Sequence, residues 1–190
     1  MRTQSLMQQA LGPQWAALPA PLKTHYGLQA HTTHGGLSIA YPGFMSPLLS
    51  ALRHLGALVN RRGEAVPTAV AKHMDGDTQH WRRSIRFADG QEIIFASHWQ
   101  AGRDNRLTEY VNRHLGLCMA VEVKDDTLIY EGRHFVLRLG ALKLPLPEWL
   151  LLGHTQISER ALDESRFIMD FRITHPIFGE VYRYGGEFSV

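Results

Sequence analysis

A chain of 190 residues with 44% hydrophobic and 20% charged side chains has the size and composition of one globular domain that buries its own core. Its formal net charge of +2 comes from dispersed basic residues, which argues against a nucleic-acid-binding protein because phosphate binding needs a basic stripe. The single cysteine, Cys118, excludes an intramolecular disulfide framework and favours a reducing, cytoplasmic location.

The N-terminal part, residues 1–25, is predicted to form a helical cap. Leu6 and Ala10 share one helical face, and the Gly12-Pro13 pair interrupts it before a second short helical piece. The first residues lack the apolar core of a signal peptide, and no apolar run approaches the roughly eighteen residues of a membrane span. We therefore expect a protein that does not span a membrane.

The rest of the chain, residues 26–190, is predicted to form an antiparallel β body that contains one helix near 47–60. Ser46 and Pro47 are suited to an N-cap and a first helical turn, and leucines then recur at helical spacing. From residue 66 onward the hydrophobic pattern alternates with a period of two between Gly and Asp turns. Strands are predicted near 66–74, 79–88, 91–99, 105–114, 117–123, 127–132, 134–139, 154–161, 166–174 and 180–189, one or two of them irregular.

These elements predict an α+β fold that is mainly antiparallel β. A strongly curved sheet or β-barrel, lipocalin-like or helix-grip-like, would remove the exposed edges of such a meander. The apolar segment 140–152 contains Pro145 and Pro147, which argue against a strand, and it is predicted to pack over an opening of the sheet as a short helix. It serves as a plug of the core, as a lid over a ligand, or as a partner-docking patch.

The turn at Asp89-Gly90 determines which side chains share a face. A two-residue loop would divide the apolar residues between both faces, whereas a three-residue loop with Gly90 in the left-handed conformation pairs Ile85 with Ile93. We prefer this bulged register, which turns Arg83 toward the apolar face beside Trp81.

Two acids are also predicted on the apolar face, Glu109 in the next strand and Glu159 further along. Because an unpaired buried charge is costly, at least one of them is expected to meet Arg83. A structural ion pair, an anchor for a ligand and an acid–base site all remain open for these three residues.

Several short motifs follow one another along the chain: Trp81-x-Arg83 leading to Phe87, Glu109, Leu144-Pro145-Leu146-Pro147, Glu159, Pro176-x-x-Gly179 and Tyr184-x-Gly186. In this order they resemble the bacterial DUF4166 family, a domain of unknown function. The resemblance runs from about His25 to the C-terminus. It implies an occasional association with oxidoreductase-like domains, and so a possible partner of that kind, but it implies no activity.

The leading functional hypothesis is a domain that binds a small amphipathic or hydrophobic ligand in the cavity of the curved sheet. The predicted ligand-binding residues are Arg83, Glu109, Glu159, His25, Trp81 and Tyr184. The alternatives are an acid–base enzyme of isomerase, cyclase or hydrolase type that uses Glu109 or Glu159 with Arg83, and an accessory domain for an oxidoreductase-like partner. No cofactor or metal site is predicted, since His31 and His34 have no third ligand nearby.

Overall fold

The computed structural model describes residues 3–190 and contains four α-helices and eleven strands within them. The helices are α1 (Leu6–Leu11), α2 (Ala20–Tyr26), α3 (Ser46–His54) and α4 (Glu148–Leu151). Two 3₁₀ turns, Gly12–Ala17 and Gly43–Met45, lie after α1 and before α3. The strands are β1 (His31–Ala40), β2 (Gly63–Asp75), β3 (Thr78–Arg86), β4 (Glu92–Ala101), β5 (Arg106–Tyr110), β6 (Leu115–Lys124), β7 (Thr127–Leu139), β8 (Leu142–Leu146), β9 (His154–Ala161), β10 (Arg166–His175) and β11 (Gly179–Ser189).

Ten of the strands form a closed antiparallel barrel, which confirms the predicted fold class. Strands β1 to β6 pair in chain order, β6 pairs with β7, β7 with β9, and β11 returns to pair with β1. Strand β8 lies outside this ring and pairs only with β7. Closure leaves the barrel itself without an edge strand.

The barrel has a capped end and an open end. Helices α1 and α2 pack across one end, where Ser5 caps α1 by accepting a hydrogen bond from the Gln8 N–H (3.1 Å). The buried Lys72 ties this cap to the barrel, since its Nζ donates to the carbonyl oxygens of Gly27 and Gln29. The opposite end, here called the mouth, carries α3, the loop 111–114, β8, α4 and the β10–β11 turn.

The core is one continuous apolar cluster that joins the inner faces of the strands with the cap. It includes Leu6 and Leu22 from the cap, Leu49 from α3, and inward residues such as Ile85 and Leu128. The cap therefore belongs to the same core as the barrel. Among residues 3–190, no helix is long and apolar enough to cross a bilayer.

The predicted register of the β3–β4 hairpin is confirmed. Ile85 pairs with Ile93 and Arg83 with Phe95. Gly90 has φ +83°, the left-handed conformation that the bulged turn requires.

Two predicted elements differ from the structure. Helix α3 ends at His54 instead of residue 60, because the chain turns at Gly56 (φ +74°) and the Ala57 N–H bonds back to the Leu52 carbonyl. The segment 140–152 is not only a short helix, since it opens with strand β8 and continues into α4. Pro145 is tolerated there because β8 pairs on one side only.

Strand boundaries also differ in detail. The predicted strands 127–132 and 134–139 are one strand, β7, with a register shift where it passes β6 between Cys118 and Met119. The prediction for residues 1 and 2 lies outside the described residues, and the cap extends one residue further than predicted, to Tyr26.

Candidate functional site

An apolar cavity of about 430 Å³ lies inside the barrel at the mouth. Its walls come from α3 and the chain after it, from the inner faces of β3 to β7 and β10–β11, and from β8–α4. The apolar lining includes Leu52, Leu55, Leu58, Leu115, Leu117, Phe135, Leu146, Leu151 and Phe171. Both predicted covering elements, the helix that follows Ser46 and the 140–152 segment, thus contribute to this cavity.

Arg83 brings a charge to the wall of this cavity. The β3–β4 register turns its side chain inward, and the guanidinium lies 5.1 Å from the centre of the Phe95 ring. Its Nη1 donates to Ser97 Oγ (3.0 Å) and to Glu109 Oε1 (3.3 Å). Within residues 3–190 its Nε and Nη2 make no hydrogen bond, so these donors are available to a bound molecule.

Glu109 completes a compact polar triad with Arg83 and Ser97. The Ser97 hydroxyl donates to Glu109 Oε1 at 2.5 Å. The side chains of Arg83 and Glu109 are only 16% and 15% exposed. Burial opposes the charge on Arg83, but the carboxylate of Glu109 outweighs it and raises the pKa of the guanidinium. The expected meeting of Arg83 with an acid is therefore present, and the acid is Glu109.

A second, smaller chamber of about 40 Å³ lies deeper in the barrel, toward the cap. Arg83 and Tyr184 line both spaces, so they mark the boundary between the cavity and this inner chamber. Trp81, His25 and Glu159 line the inner chamber only.

Glu159 is buried in the inner chamber and forms a hydrogen-bonded pair with the cap. The Tyr26 hydroxyl donates to Glu159 Oε1 at 2.7 Å, and both side chains are nearly inaccessible to solvent. Burial raises the pKa of Glu159 to about 7, although the Tyr26 hydrogen bond and the charge of Arg83 act in the opposite direction. This acid can therefore carry a proton near neutral pH.

His25 lies beside Tyr26, the hydrogen-bond partner of Glu159, and its imidazole is held neutral. Its ring contacts Tyr26, Phe167 and Trp81, with centroids 4.6, 5.0 and 5.2 Å away. Burial, aided by the charge of Lys72, lowers the pKa of His25 well below its usual value.

Several buried polar atoms around the inner chamber have no hydrogen-bond partner in the described protein. They are His25 Nδ1, Thr33 Oγ1, Trp81 Nε1, Trp99 Nε1 and Glu159 Oε2. Each such atom costs about 1–3 kcal/mol unless it is satisfied. A space of 40 Å³ accommodates about three water molecules or one small polar group, so this chamber is suited to a small polar occupant.

The six predicted ligand-binding residues thus fall into two adjoining spaces. Arg83, Glu109 and Tyr184 reach the main cavity, while Glu159, His25 and Trp81 lie in the inner chamber. Sequence reasoning missed Ser97 and Tyr26. Ser97 has the same strand parity as Phe95, which would have placed it inward, and the Tyr26–Glu159 bond joins positions 133 residues apart.

Comparison with known families agrees with the motif-based resemblance. The model of DUF4166, a domain of unknown function, matches residues 18–188, which is nearly the whole chain. The comparison with curated proteins finds no match.

Proposed function

Since the chain belongs to the DUF4166 family, whose function is unknown, we propose from its own interior that it binds a small amphipathic or hydrophobic molecule. The observation that carries this proposal is the 430 Å³ apolar cavity with a polar triad in its wall. The volume falls in the range of small-molecule sites, which are mostly apolar with a few oriented polar groups.

The triad determines the chemistry of the ligand that fits best. The charge of Arg83 is already balanced by Glu109, so a second carboxylate would leave an excess negative charge in an apolar space. A neutral hydroxyl or carbonyl can instead accept from the free Nε or Nη2 of Arg83 while its apolar body fills the cavity. A medium-chain alcohol is the simplest molecule of this kind.

Fluorescence titration with N-phenyl-1-naphthylamine, followed by displacement with 1-dodecanol, tests the cavity. Leu117→Trp fills space inside the cavity and should weaken binding of the dye at least tenfold. Ile94→Trp adds the same bulk on the outer wall of β4 and should leave binding unchanged. Equal binding by both variants, with circular dichroism showing both folded, would contradict the proposal, and Leu115→Phe provides a milder second filling of the cavity.

A separate variant tests the triad. Arg83→Met/Glu109→Leu removes both charges together and so leaves no unpaired buried ion. We expect displacement by 1-dodecanol to weaken by about tenfold, the scale of one hydrogen bond to a charged group. Binding of the dye should change less than twofold. An unchanged alcohol affinity would mean that Arg83 does not contact the ligand.

An acid–base enzyme is the alternative, and the raised pKa of Glu159, about 7, is the observation in its favour. Glu159 lies in the inner chamber, however, and a substrate in the main cavity would have to pass Arg83 and Tyr184 to reach it. Glu109 faces the cavity but is held by two hydrogen bonds. Turnover that Glu159→Gln or Glu109→Gln abolishes without loss of folding would favour the enzyme.

Two further expectations remain proposals. An accessory role beside an oxidoreductase-like partner is compatible with the exposure of Trp149, which is 59%. A cytoplasmic location in a bacterium is compatible with the single free thiol, buried at Cys118. Co-purification from the native host and cell fractionation test these proposals.

A further inference from the structure

The mouth of the barrel is surrounded by exposed apolar side chains. All but two of the exposed large hydrophobic residues among the described residues lie at this end, the exceptions being Ile94 and Leu162. The apolar rim consists of Phe44, Leu48, Leu55, Leu139, Leu142, Trp149, Leu150, Leu151, Ile177 and Phe178. Ile177, Phe178 and Trp149 are 80%, 60% and 59% exposed. Such a concentration of exposed apolar surface marks an interaction site.

Direct contacts join the segments of the apolar rim into one surface. Phe44, just before α3, contacts Phe178 of the β10–β11 turn, with ring centroids 5.8 Å apart. The ring of His175, the last residue of β10, lies 4.8 Å from that of Phe178 (centroid to centroid), and its Nε2 lies 3.1 Å from the carbonyl oxygen of Trp149 in α4. These contacts join the segment before α3, the β10–β11 turn and α4 around the mouth.

The apolar rim is also continuous with the cavity. Leu55 and Leu151 are exposed on the rim and line the cavity as well. The Asn112 amide donates to the Leu55 carbonyl (2.6 Å) and fixes the loop after β5 against the end of α3. A molecule that enters the cavity from the rim thus moves along apolar surface throughout.

Unpaired positive charge accompanies the apolar rim. Arg53, Arg113 and Lys143 lie at the mouth and form no ion pair within residues 3–190. Most acids at this end are paired: Asp89 with Arg61, Glu92 with Arg86, Glu180 with Arg172, and Glu148 with His154. Glu64, at the start of β2, is exposed and forms no ion pair within residues 3–190. The turns at the capped end carry exposed acids of which Asp163 pairs with Arg166, and they carry exposed basic residues as well. The other acids are Asp104, Asp125, Asp126 and Glu164, and the basic residues include Arg103, Arg106 and Lys124.

We propose that the apolar rim docks onto an anionic lipid bilayer with the mouth of the barrel facing the membrane. Tryptophan and phenylalanine insert at the headgroup boundary, and basic side chains around them are attracted by anionic lipids such as those of a cytoplasmic leaflet. The turns of the capped end point away from that surface. This docking goes beyond ligand binding and does not require it.

Flotation with vesicles tests the docking surface. The full chain should bind vesicles of phosphatidylcholine with 30% phosphatidylserine, and binding should fall as salt is raised. Vesicles of phosphatidylcholine alone should bind at least tenfold less protein. Absence of binding to the anionic vesicles at low salt would overturn the proposal.

Matched variants identify the surface that binds. Trp149→Ser/Ile177→Ser should reduce binding at least tenfold, and Arg113→Gln/Lys143→Gln by about fivefold for each charge removed. Ile94→Ser/Leu162→Ser removes the two exposed apolar residues outside the rim and should bind like the parent. Equal losses in the control and the rim variants would overturn the proposal. So would a stable dimer that Trp149→Ser/Ile177→Ser dissociates, because a second copy would then cover the rim.

The outcome is separable from that of the ligand proposal. Dye binding in solution reports the cavity alone, so the rim variants should retain it while they lose vesicle binding. A protein that binds vesicles but not the dye would retain the docking surface and lose the proposed ligand.

Discussion

At the scale of single residues, the inward charge of Arg83 is the feature that most needs a physical reason. Its guanidinium is stabilised by Glu109 and Ser97 on two neighbouring strands, and the triad lies between an apolar cavity and a polar chamber. If the role of this ion pair were purely structural, apolar residues of similar volume could replace it without loss of stability. Stability measurements on the single and double variants therefore show what the pair contributes.

Glu109→Ala should lower the free energy of unfolding by about 2 kcal/mol, because it leaves Arg83 charged, desolvated and without its acid. The double variant Arg83→Met/Glu109→Leu should regain most of that loss. Urea unfolding followed by circular dichroism measures both values. A double variant less stable than Glu109→Ala would show that the pair itself is a major source of stability.

Glu159 gives a pH dependence whose sign follows from its raised pKa. The folded state releases the proton near pH 7, whereas the unfolded chain releases it near 4.5, so the folded state binds more protons between these values. The contribution of this group is complete below pH 4.5 and is lost as the pH rises through 7.

Glu159→Gln should therefore remove a fall in stability between pH 5 and pH 8. The amide keeps an oxygen acceptor for Tyr26 and carries no charge, so the variant should gain stability relative to the parent by at most about 3 kcal/mol at pH 8. Urea unfolding across this pH range measures the difference. Glu122→Gln, on the exposed face of β6, should leave the pH profile unchanged.

The sequence predicts the environment of a single residue only where nearby residues in the chain determine it. Arg83 is predictable as inward because one turn at Gly90 fixes the register of adjacent strands. The alternation of side chains alone predicts Glu159 on the apolar face. Its partner Tyr26 lies in a cap helix 133 residues away in the sequence, and hydrophobic periodicity does not predict such a contact.

At the scale of elements, the segment of β8 and α4 also depends on contacts that the local sequence does not predict. Pro145 was expected to argue against a strand, but β8 contains it, because a strand that pairs on one side only accepts a proline. That one-sided pairing depends on the closed topology. Gly56 is suited to the left-handed turn that follows α3. The leucines beyond the helix nevertheless continue its apolar pattern, and in the structure they line the cavity instead of extending the helix.

The attachment of α4 depends on one buried acid. The Glu148 carboxylate accepts from the Thr155 N–H (3.0 Å) and lies 2.8 Å from His154 Nδ1. Its side chain packs directly over Gly132 of β7, where a Cβ would overlap the carboxylate. This contact positions the whole of α4 at the mouth.

Gly132→Ala should therefore release α4 and destabilise the protein by about 2 kcal/mol. Hydrogen exchange of the Leu152, Gly153 and Thr155 amides should accelerate, since all three are bonded to Glu148. In a Glu148→Ala background the same glycine substitution should cost much less, because the overlapping group is gone. Additive costs would show that Gly132 is needed for another reason.

At the scale of the whole molecule, barrel closure depends on a seam between the first and last strands. Strands β1 and β11 pair from His34–Ser189 to Ala40–Arg183. Gly36 and Gly186 lie within this seam, and a Cβ on Gly186 would overlap the Gly36 carbonyl oxygen. Alternation predicted a curved or closed sheet, but it did not reveal which strands meet, because pairing across the whole length of the chain leaves no local pattern.

Gly186→Ala should consequently open the seam and lower the free energy of unfolding by about 3 kcal/mol or more, since the obstacle is backbone and cannot rotate away. Because the cap and barrel share one core, circular dichroism and tryptophan fluorescence should report the same shifted midpoint in urea. Gly43→Ala is the matched control, since its Cβ would meet only Arg62 Nη2 at 3.8 Å, and it should change stability by less than about 0.5 kcal/mol. A Gly186→Ala variant as stable as this control would mean that the seam is not tightly closed, and the cavity would then have a second opening along the wall of the barrel.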